Sequence, residues 1–505
     1  MTKISQIAII MNDRSYEYDV YTLVIAFFQG IRTKVLDPGE DGAAQADLIV
    51  EARIDPERVF LQLCREREDA EEAGVTDESV LMPPVFETRN VALPEGADRS
   101  TVKNQVKRNL YEMLRKLCGR DLPWGSLTGI RPVKLAMQLL PEGASRAREQ
   151  MQERYYVSPG KADLAVRIAQ RERRILRGIG AGDGYSLYIG IPFCPSICLY
   201  CSFSSSPLNV WKDRVDEYLD ALLLEMRSCR DFFSGKPLHT IYVGGGTPTT
   251  LSEQQMDRLL CAVEDNFDLS GVLEFTVEAG RPDSITREKL QVLRGHPVTR
   301  ISVNPQTMNQ KTLDLIGRRH TVEDTVRAFE TARALGFDNI NMDLIVGLPG
   351  EGLEEVTHTM QMIEAMDPDD VTVHALALKR AARLALHMDE YEKISFHASD
   401  RIMELCEEAC GRLGMSPYYL YRQKNMAGNF ENVGYAKSGK AGLYNILIME
   451  EVECILALGA SGSTKIVTGD GRIERIENVK DIRNYLDRID EMIGRKMASA
   501  PVYCH

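Results

Sequence analysis

Short apolar runs alternate with amphipathic segments from about residue 185 onward, and this alternation predicts repeated strand–helix units. The predicted strands span residues 187–191, 240–243, 273–277, 301–304, 340–345 and 371–376. The predicted helices between them span residues 215–230, 253–267, 286–293, 321–335 and 353–365. Repeats of strand followed by helix indicate an α/β fold with a mostly parallel sheet, here a partial (β/α)6 barrel.

Outside this repeat the chain has a different pattern. Strand-like runs are predicted at 4–11, 20–28 and 47–54, and helical spacing at 101–117, 133–140 and 395–413. Charged stretches at 65–78 and 167–177 show no strand pattern and suggest borders between units. We therefore predict an N-terminal α+β accessory region at 1–180, the partial barrel at 181–378, and a C-terminal α+β lid-like module that caps the substrate at 379–505.

Polar and apolar side chains alternate along most of the predicted barrel strands. Because successive side chains of a strand point to opposite faces, the apolar set is expected to face the helices and the polar set the barrel lumen. The polar set near the carboxyl ends of the strands contains Tyr188, Glu278, Gln306 and Asp343. Barrels of this kind place their chemistry at that end, so the alternation predicts a polar ligand cavity there.

Composition and charge narrow the class of protein. The chain has 505 residues and is 44% hydrophobic, which is enough to bury several cores. Its 61 basic and 74 acidic side chains give a net charge of -13, which opposes non-specific binding to nucleic acids and anionic membranes. Eleven cysteines cannot all be paired, and no long apolar run or secretory signal is present. We expect a cytoplasmic protein without a membrane span or a nucleic-acid partner.

Three cysteines lie within eight residues, directly after the first predicted barrel strand. Cys194, Cys198 and Cys201 have the spacing C-x3-C-x2-C. Three thiolates on one loop can hold three irons of a [4Fe-4S] cluster and leave the fourth iron open for a cofactor or substrate. A closed zinc site is the alternative, and it would need a fourth ligand such as Cys504 or His505 from the end of the chain.

The loop resembles the signature of the radical S-adenosylmethionine (SAM) superfamily. The stretch Tyr188-Ile-Gly-Ile-Pro-Phe-Cys194 is similar to the oxygen-independent coproporphyrinogen III oxidase-like family, and Gly244-Gly-Gly-Thr-Pro-Thr249 is similar to its glycine motif. The other matching positions follow in family order: Glu278, Gln306, Arg318, Asp343 with Gly347-Leu-Pro349, and Ala377. The resemblance covers about residues 185–465 and is strongest to the HemZ (coproporphyrinogen dehydrogenase) branch.

The resemblance implies a radical SAM barrel in which Cys194, Cys198 and Cys201 bind the [4Fe-4S] cluster. It implies catalytic roles for Tyr188 and Glu278. The SAM site that it implies consists of Tyr188, Gly245, Gly246, Thr247, Glu278, Gln306, Arg318, Asp343 and Ala377.

The same resemblance implies a reaction and its partners. The reaction is the oxidative decarboxylation of coproporphyrinogen III to protoporphyrinogen IX in haem biosynthesis, with an electron donor such as flavodoxin or ferredoxin. A tetrapyrrole with four carboxylates needs basic side chains in an acidic protein. The candidates are Lys379, Arg380, Arg383, Arg422, Lys424 and Lys437.

Two positions depart from the oxidase pattern. Phe203 replaces a cysteine of the oxidase that is not a cluster ligand, and Gly190 replaces a histidine. Related haem chaperones also lack that cysteine, so a haem chaperone is one alternative function. Their tail motif His-Asn-x-x-Tyr-Trp is missing here, where residues 428–435 read Gly-Asn-Phe-Glu-Asn-Val-Gly-Tyr, and this favours an enzyme. A radical SAM enzyme that modifies haem is a further alternative.

Overall fold

The computed structural model describes residues 4–40, 43, 46–65, 85–129, 131–203, 205–377, 398–423, 426, 429–469 and 471–503. The chain forms two units. The first comprises Met1–Pro132 and Gln138–Val166, and the second comprises Val133–Met137 and Arg167–His505. None of the helices in the described ranges is long and apolar enough to cross a membrane.

The strands are β1 Gln6–Met11, β2 Arg32–Leu36, β3 Leu48–Ile54, β4 Arg58–Arg65, β5 Val85–Ala92, β6 Tyr185–Ile191, β7 Phe193–Cys194, β8 Ser206–Pro207, β9 Leu238–Gly245, β10 Glu274–Glu278, β11 Arg300–Ser302, β12 Ile340–Val346, β13 Asp370–Ala375, β14 Ser416–Tyr421, β15 Asn432–Ala436, β16 Cys454–Leu458, β17 Ser463–Val467 and β18 Ile473–Glu477.

The helices are α1 Glu17–Phe27, α2 Arg99–Cys118, α3 Pro132–Leu139, α4 Ala144–Tyr155, α5 Pro159–Gly178, α6 Leu208–Trp211, α7 Val215–Cys229, α8 Glu253–Asn266, α9 Arg287–Gly295, α10 Gln310–Leu315, α11 Val322–Ala334, α12 Leu353–Met366, α13 Asp400–Arg412, α14 Leu443–Glu450, α15 Ile482–Asp487 and α16 Ile489–Tyr503.

The first unit contains a five-stranded sheet in the order β2-β1-β3-β4-β5. Strand β1 is parallel to β2 and β3, whereas β3, β4 and β5 are antiparallel to one another. The prediction of a strand at 20–28 was wrong, because this segment lies in helix α1. Val20, Leu23, Val24 and Phe27 are buried at helical spacing, and they pack in the same core as β1 and α2. Their branched and aromatic side chains also suit a buried strand, which explains the error.

The second unit is built on an eleven-stranded sheet in the order β14-β15-β13-β12-β11-β10-β9-β6-β16-β17-β18. Its central strands β6, β9, β10, β11, β12 and β13 are parallel and adjacent in chain order. Their ends differ from the predicted ones by two residues or fewer. The α/β fold with repeated strand–helix units is therefore confirmed.

The C-terminal part of the chain extends this sheet at both edges. Strand β15 pairs antiparallel with β13, and β14 pairs with β15. Strand β16 pairs in parallel with β6, and β17 and β18 follow it as antiparallel strands. Residues 379–397 lie outside the described part of the chain. The division into functional regions at residues 180 and 378 stays a prediction.

Candidate active site

A cavity of about 480 Å³ lies in the lumen of the parallel strands and at their carboxyl ends. Its volume is typical of sites for small molecules and cofactors. All twelve residues selected from the sequence line it: Tyr188, Cys194, Cys198, Cys201, Gly245, Gly246, Thr247, Glu278, Gln306, Arg318, Asp343 and Ala377. The structure thus brings these residues together around one cavity, while their individual roles stay predictions.

The cysteine loop begins where β6 ends and is closed by a short pair of strands. Phe193 in β7 pairs with Ser206 in β8, so both ends of the loop are held together. Cys198 is buried, whereas Cys194 and Cys201 are half-buried. Burial raises the pKa of the Cys194 and Cys201 thiols, so a bound metal must displace their protons.

The donor set of the cysteine loop fits an iron–sulfur cluster. Three free thiols on one loop can hold three corners of a [4Fe-4S] cluster. A closed tetrahedral zinc site would need a fourth protein ligand. Cys504 and His505, the proposed fourth zinc ligands, lie outside the described residues.

Two buried arginines lie beside the cysteine loop. Arg281 donates a hydrogen bond to Cys198 Sγ at 3.3 Å and is held by an ion pair with Asp283 at 2.8 Å. The Arg318 guanidinium donates to the main-chain oxygen of Asn304, but its Nε has no hydrogen-bond partner among the described residues. These positive charges favour negative charge on the sulfurs and on any anionic group in the cavity.

Sequence reasoning missed Arg281. Its position three residues after Glu278, directly beyond the end of β10, was the available signal, because residues at the carboxyl ends of barrel strands face the cavity.

The glycine motif packs directly on the cysteine loop. The Gly246 N–H donates to the Ile191 carbonyl oxygen, and the Thr247 N–H donates to the Phe193 carbonyl oxygen, both at 2.7 Å. A Cβ atom at Gly246 would lie 2.6 Å from the Phe193 carbonyl oxygen, so no other residue fits without a shift of the backbone. Thr247 Oγ1 also contacts Cys194 Sγ at 3.5 Å. The motif therefore helps to hold the cysteine loop in place.

A carboxyl group and three stacked tyrosines occupy the lumen. The Tyr242 hydroxyl donates to the Glu278 carboxylate. The Tyr242 ring stacks on Tyr444 with centroids 4.5 Å apart and on Tyr188 at 6.3 Å. Burial raises the pKa of Glu278 to about 7; the charge of Asp343 adds to this shift, and the Tyr242 hydrogen bond opposes it. Glu278 therefore changes charge near neutral pH.

Asp343 is a second carboxylate in the lumen, with the opposite electrostatic behaviour. Burial raises its pKa, but the hydrogen bond and charge of His374, helped by Asn341, bring it below the ordinary value. The Asn341 amide donates to Asp343 Oδ1 at 2.8 Å, and His374 Nε2 lies 3.8 Å from the same oxygen. Asp343 therefore stays ionised over the pH range near 7 in which Glu278 gains or loses its proton.

Gln306 and Ala377 line the same cavity through irregular backbone. Gln306 has a φ of 70°, which is uncommon for a residue other than glycine. Its N–H donates to the Asp343 carbonyl oxygen at 3.0 Å, and its carbonyl oxygen accepts from the Ile345 N–H at 2.9 Å. Backbone strain of this kind is found mainly at functional sites. Ala377 forms an isolated bridge with Met426.

Neither of the two predicted basic residues that the structure describes, Arg422 and Lys437, lines the cavity. Lys379, Arg380, Arg383 and Lys424 lie outside the described residues. Lys437 does not line the cavity; it pairs with Asp367 at 2.6 Å. The reason is that β15 runs antiparallel to β13, which brings the end of β15 beside the first residue of β13, away from the carboxyl ends.

Arg422 is buried and donates to Asn429 Oδ1 at 2.5 Å, but it is not part of the cavity lining. Burial lowers its pKa to about 10. The arginines that do line the cavity are Arg281, Arg300 and Arg318. Arg300 is engaged in a buried ion pair with Asp370 at 3.1 Å, so it is already neutralised.

The two departures from the oxidase pattern have different surroundings. Phe203 lines the cavity and is 71% exposed, so it presents an apolar ring beside the cysteine loop. Gly190 is enclosed, and its carbonyl oxygen accepts a hydrogen bond from the Tyr218 hydroxyl at 2.7 Å. A Cβ atom at Gly190 would lie 3.3 Å from the Leu458 carbonyl oxygen. A larger side chain there would press on the end of β16 and on Ala460, which follows it.

Comparisons with known proteins match this description. Residues 188–363 match the radical SAM superfamily. The chain is 39% identical over 403 residues to the oxygen-independent coproporphyrinogen-III oxidase-like protein HemZ of Bacillus subtilis, covering 78% of this chain and 80% of that protein. It is 32% identical over 310 residues to the heme chaperone HemW of Bacillus subtilis, covering 61% of this chain and 76% of the chaperone. It is 28% identical over 321 residues to the oxygen-independent coproporphyrinogen III oxidase of Salmonella typhimurium, covering 61% of this chain and 65% of that oxidase.

Proposed function

Because the chain belongs to the oxygen-independent coproporphyrinogen III oxidase-like family of the radical SAM superfamily, we propose that it catalyses the oxidative decarboxylation of coproporphyrinogen III to protoporphyrinogen IX. The superfamily uses a [4Fe-4S] cluster and SAM, which are the cofactors predicted from the sequence. The observation that carries the proposal is the cavity in which the three cysteines, the glycine motif and the lumen carboxylates meet.

In this proposal Cys194, Cys198 and Cys201 hold the cluster, and Arg281 donates to the sulfur of Cys198. When bound, the cluster and SAM supply a one-electron cleavage that yields a carbon radical able to remove hydrogen from an unactivated carbon. The residues of the chain bind these groups, orient them and exclude water from them.

The charges in the cavity complement SAM, which carries a sulfonium, an ammonium and a carboxylate. Ionised Glu278 and Asp343 would attract its positive groups. Buried Arg318, whose Nε has no hydrogen-bond partner among the described residues, would donate to its carboxylate. An unpaired buried donor is costly, and a bound carboxylate would remove that cost.

The stacked rings of Tyr188, Tyr242 and Tyr444 would act by excluding water. A reactive radical requires a dry enclosure, because it attacks any group within reach. Burial raises the pKa of Tyr188, so its hydroxyl stays protonated and can donate a hydrogen bond.

A haem chaperone is the second candidate function. The similarity to HemW supports it, as does Phe203 at the position of the oxidase cysteine. The enzyme is favoured because the match to HemZ is higher in identity and covers more of the chain.

The experiment that tests the proposal is an anaerobic turnover assay. Cluster-loaded protein is mixed with SAM, a reductant and coproporphyrinogen III, and the products are analysed by mass spectrometry. We expect loss of two carboxyl groups from the substrate together with formation of 5'-deoxyadenosine. Cys198→Ser should abolish both, whereas Cys118→Ser, a half-buried cysteine outside the cavity, should leave them unchanged.

Two other results would overturn the proposal. Retention of one haem per chain without any 5'-deoxyadenosine would establish the chaperone instead. Consumption of haem with a modified tetrapyrrole as product would establish a haem-modifying radical SAM enzyme.

A further inference from the structure

Helices α8 and α9 carry a cluster of metal-ligand side chains outside the cavity described above. Asp257 and Cys261 are four residues apart on α8, so they lie on the same face of the helix. His296 follows the last residue of α9. One ligand atom from each of the three residues lies within 4.8 Å of the other two. We propose that Asp257, Cys261 and His296 bind a single divalent metal ion of the zinc type.

The orientation of His296 supports this proposal. Its Nδ1 lies 2.5 Å from Glu264 Oε1, and its Nε2 lies 3.2 Å from Asp257 Oδ1. Histidine ligands usually donate their second ring N–H to a carboxylate, which fixes the ring and increases its basicity. Glu264 is placed to do this through Nδ1, so Nε2 is directed at the other ligands. The His296 side chain is only 8% exposed, which limits its freedom further.

The set of donor atoms determines the class of metal. A thiolate, an imidazole and a carboxylate are ligands that zinc accepts readily, whereas magnesium and calcium prefer oxygen donors alone. Three protein ligands leave one position of a tetrahedron for water. The negative charges of Asp257, Glu264 and neighbouring Asp265 attract a cation to this part of the surface.

The ion would join two helices on the outside of the barrel. On binding, it replaces the thiol proton of Cys261 and takes the place of the direct contact between His296 Nε2 and Asp257 Oδ1. Because Cys261 is exposed, its replacement does not disturb a core. The site is separate from the cysteine loop and does not depend on the proposed reaction.

The test uses the full chain with its cluster loaded, so that the loop cysteines are occupied. The protein is dialysed against buffered free Zn²⁺, and zinc and iron are counted in the same sample by elemental mass spectrometry. We expect one zinc per chain at unchanged iron content. Cys261→Ser and His296→Ala should weaken binding at least a hundredfold, and Glu264→Gln about tenfold.

His358→Ala, an exposed histidine on α12, is the matched control and should bind zinc normally. Unchanged iron content in each variant shows that the fold is intact. The proposal is overturned if the wild type binds no zinc at micromolar concentration, or if Cys261→Ser and His296→Ala bind zinc as the wild type does. As a spectroscopic check, Co²⁺ should give a sulfur-to-cobalt charge-transfer band that Cys261→Ser abolishes.

Discussion

Replacing Tyr242 by phenylalanine should move the pH dependence of cofactor binding to higher pH. The substitution removes one hydroxyl, which donates to the Glu278 carboxylate. The ring stays, so its stacking on Tyr444 at 4.5 Å is retained. Since this hydrogen bond stabilises the ionised carboxylate, its loss raises the pKa of Glu278 from its value of about 7.

The size of the effect follows from the strength of that bond. A hydrogen bond to a charged group contributes about 1.5–3 kcal/mol, and about 1.4 kcal/mol corresponds to one pKa unit, so the pKa rises by roughly one to two units. At pH 7.5 the Glu278 carboxyl is ionised in roughly three-quarters of the wild-type molecules. In a variant whose Glu278 pKa is higher by about 1.5, it is ionised in about a tenth of the molecules. If the ionised form binds the cationic cofactor, apparent affinity falls about eightfold at this pH.

The assay is calorimetric titration of the anaerobic, cluster-loaded protein with SAM between about pH 6 and pH 10. For the wild type, affinity should rise with pH and level off above the pKa of about 7, because deprotonation creates the binding form. The Tyr242→Phe curve should have its midpoint at higher pH and meet the wild-type curve at the alkaline end. Tyr444→Phe removes a hydroxyl from the same stack but leaves the bond between Tyr242 and Glu278 in place, so its curve should not move. The reasoning is refuted if the Tyr242→Phe curve coincides with the wild type, or if it is lower by the same factor at every pH.

Two further substitutions test the packing. Gly246→Ala should lower both the iron content and the free energy of unfolding, because the added Cβ would lie 2.6 Å from the Phe193 carbonyl oxygen. Gly295→Ala is the control, since a Cβ there meets open space, and it should behave as the wild type. Iron analysis and urea unfolding measure the two effects. Lys496→Met should reduce the free energy of unfolding by about 3–5 kcal/mol, since it removes the positive charge that is paired at 2.7 Å with the buried carboxylate of Glu225. A urea titration measures this loss, and adding Glu225→Gln should recover part of it; equal stability of wild type and Lys496→Met would contradict the interpretation.

The barrel strands and the lumen side chains were predictable because their signals are local. Alternation with period two places Glu278 and Asp343 on one face whatever the rest of the chain does. The spacing of Cys194, Cys198 and Cys201 is also local, since a short loop brings its own residues together. Helix α1 shows the limit of such signals, because a short apolar segment satisfies both the helical and the extended pattern.

The partners of these residues could not be predicted in the same way. Tyr242 and Tyr444 are far apart in the chain and meet because α14 and β9 pack in the same unit. Lys437 is drawn away from the cavity by the antiparallel pairing of β15 with β13, which no nearby residue indicates. Periodicity and loop spacing follow from the backbone geometry of one segment, so the amino-acid order is sufficient to reveal them. Contacts between distant segments depend on how all the elements fill the same volume, and for that reason they became visible only in the folded chain.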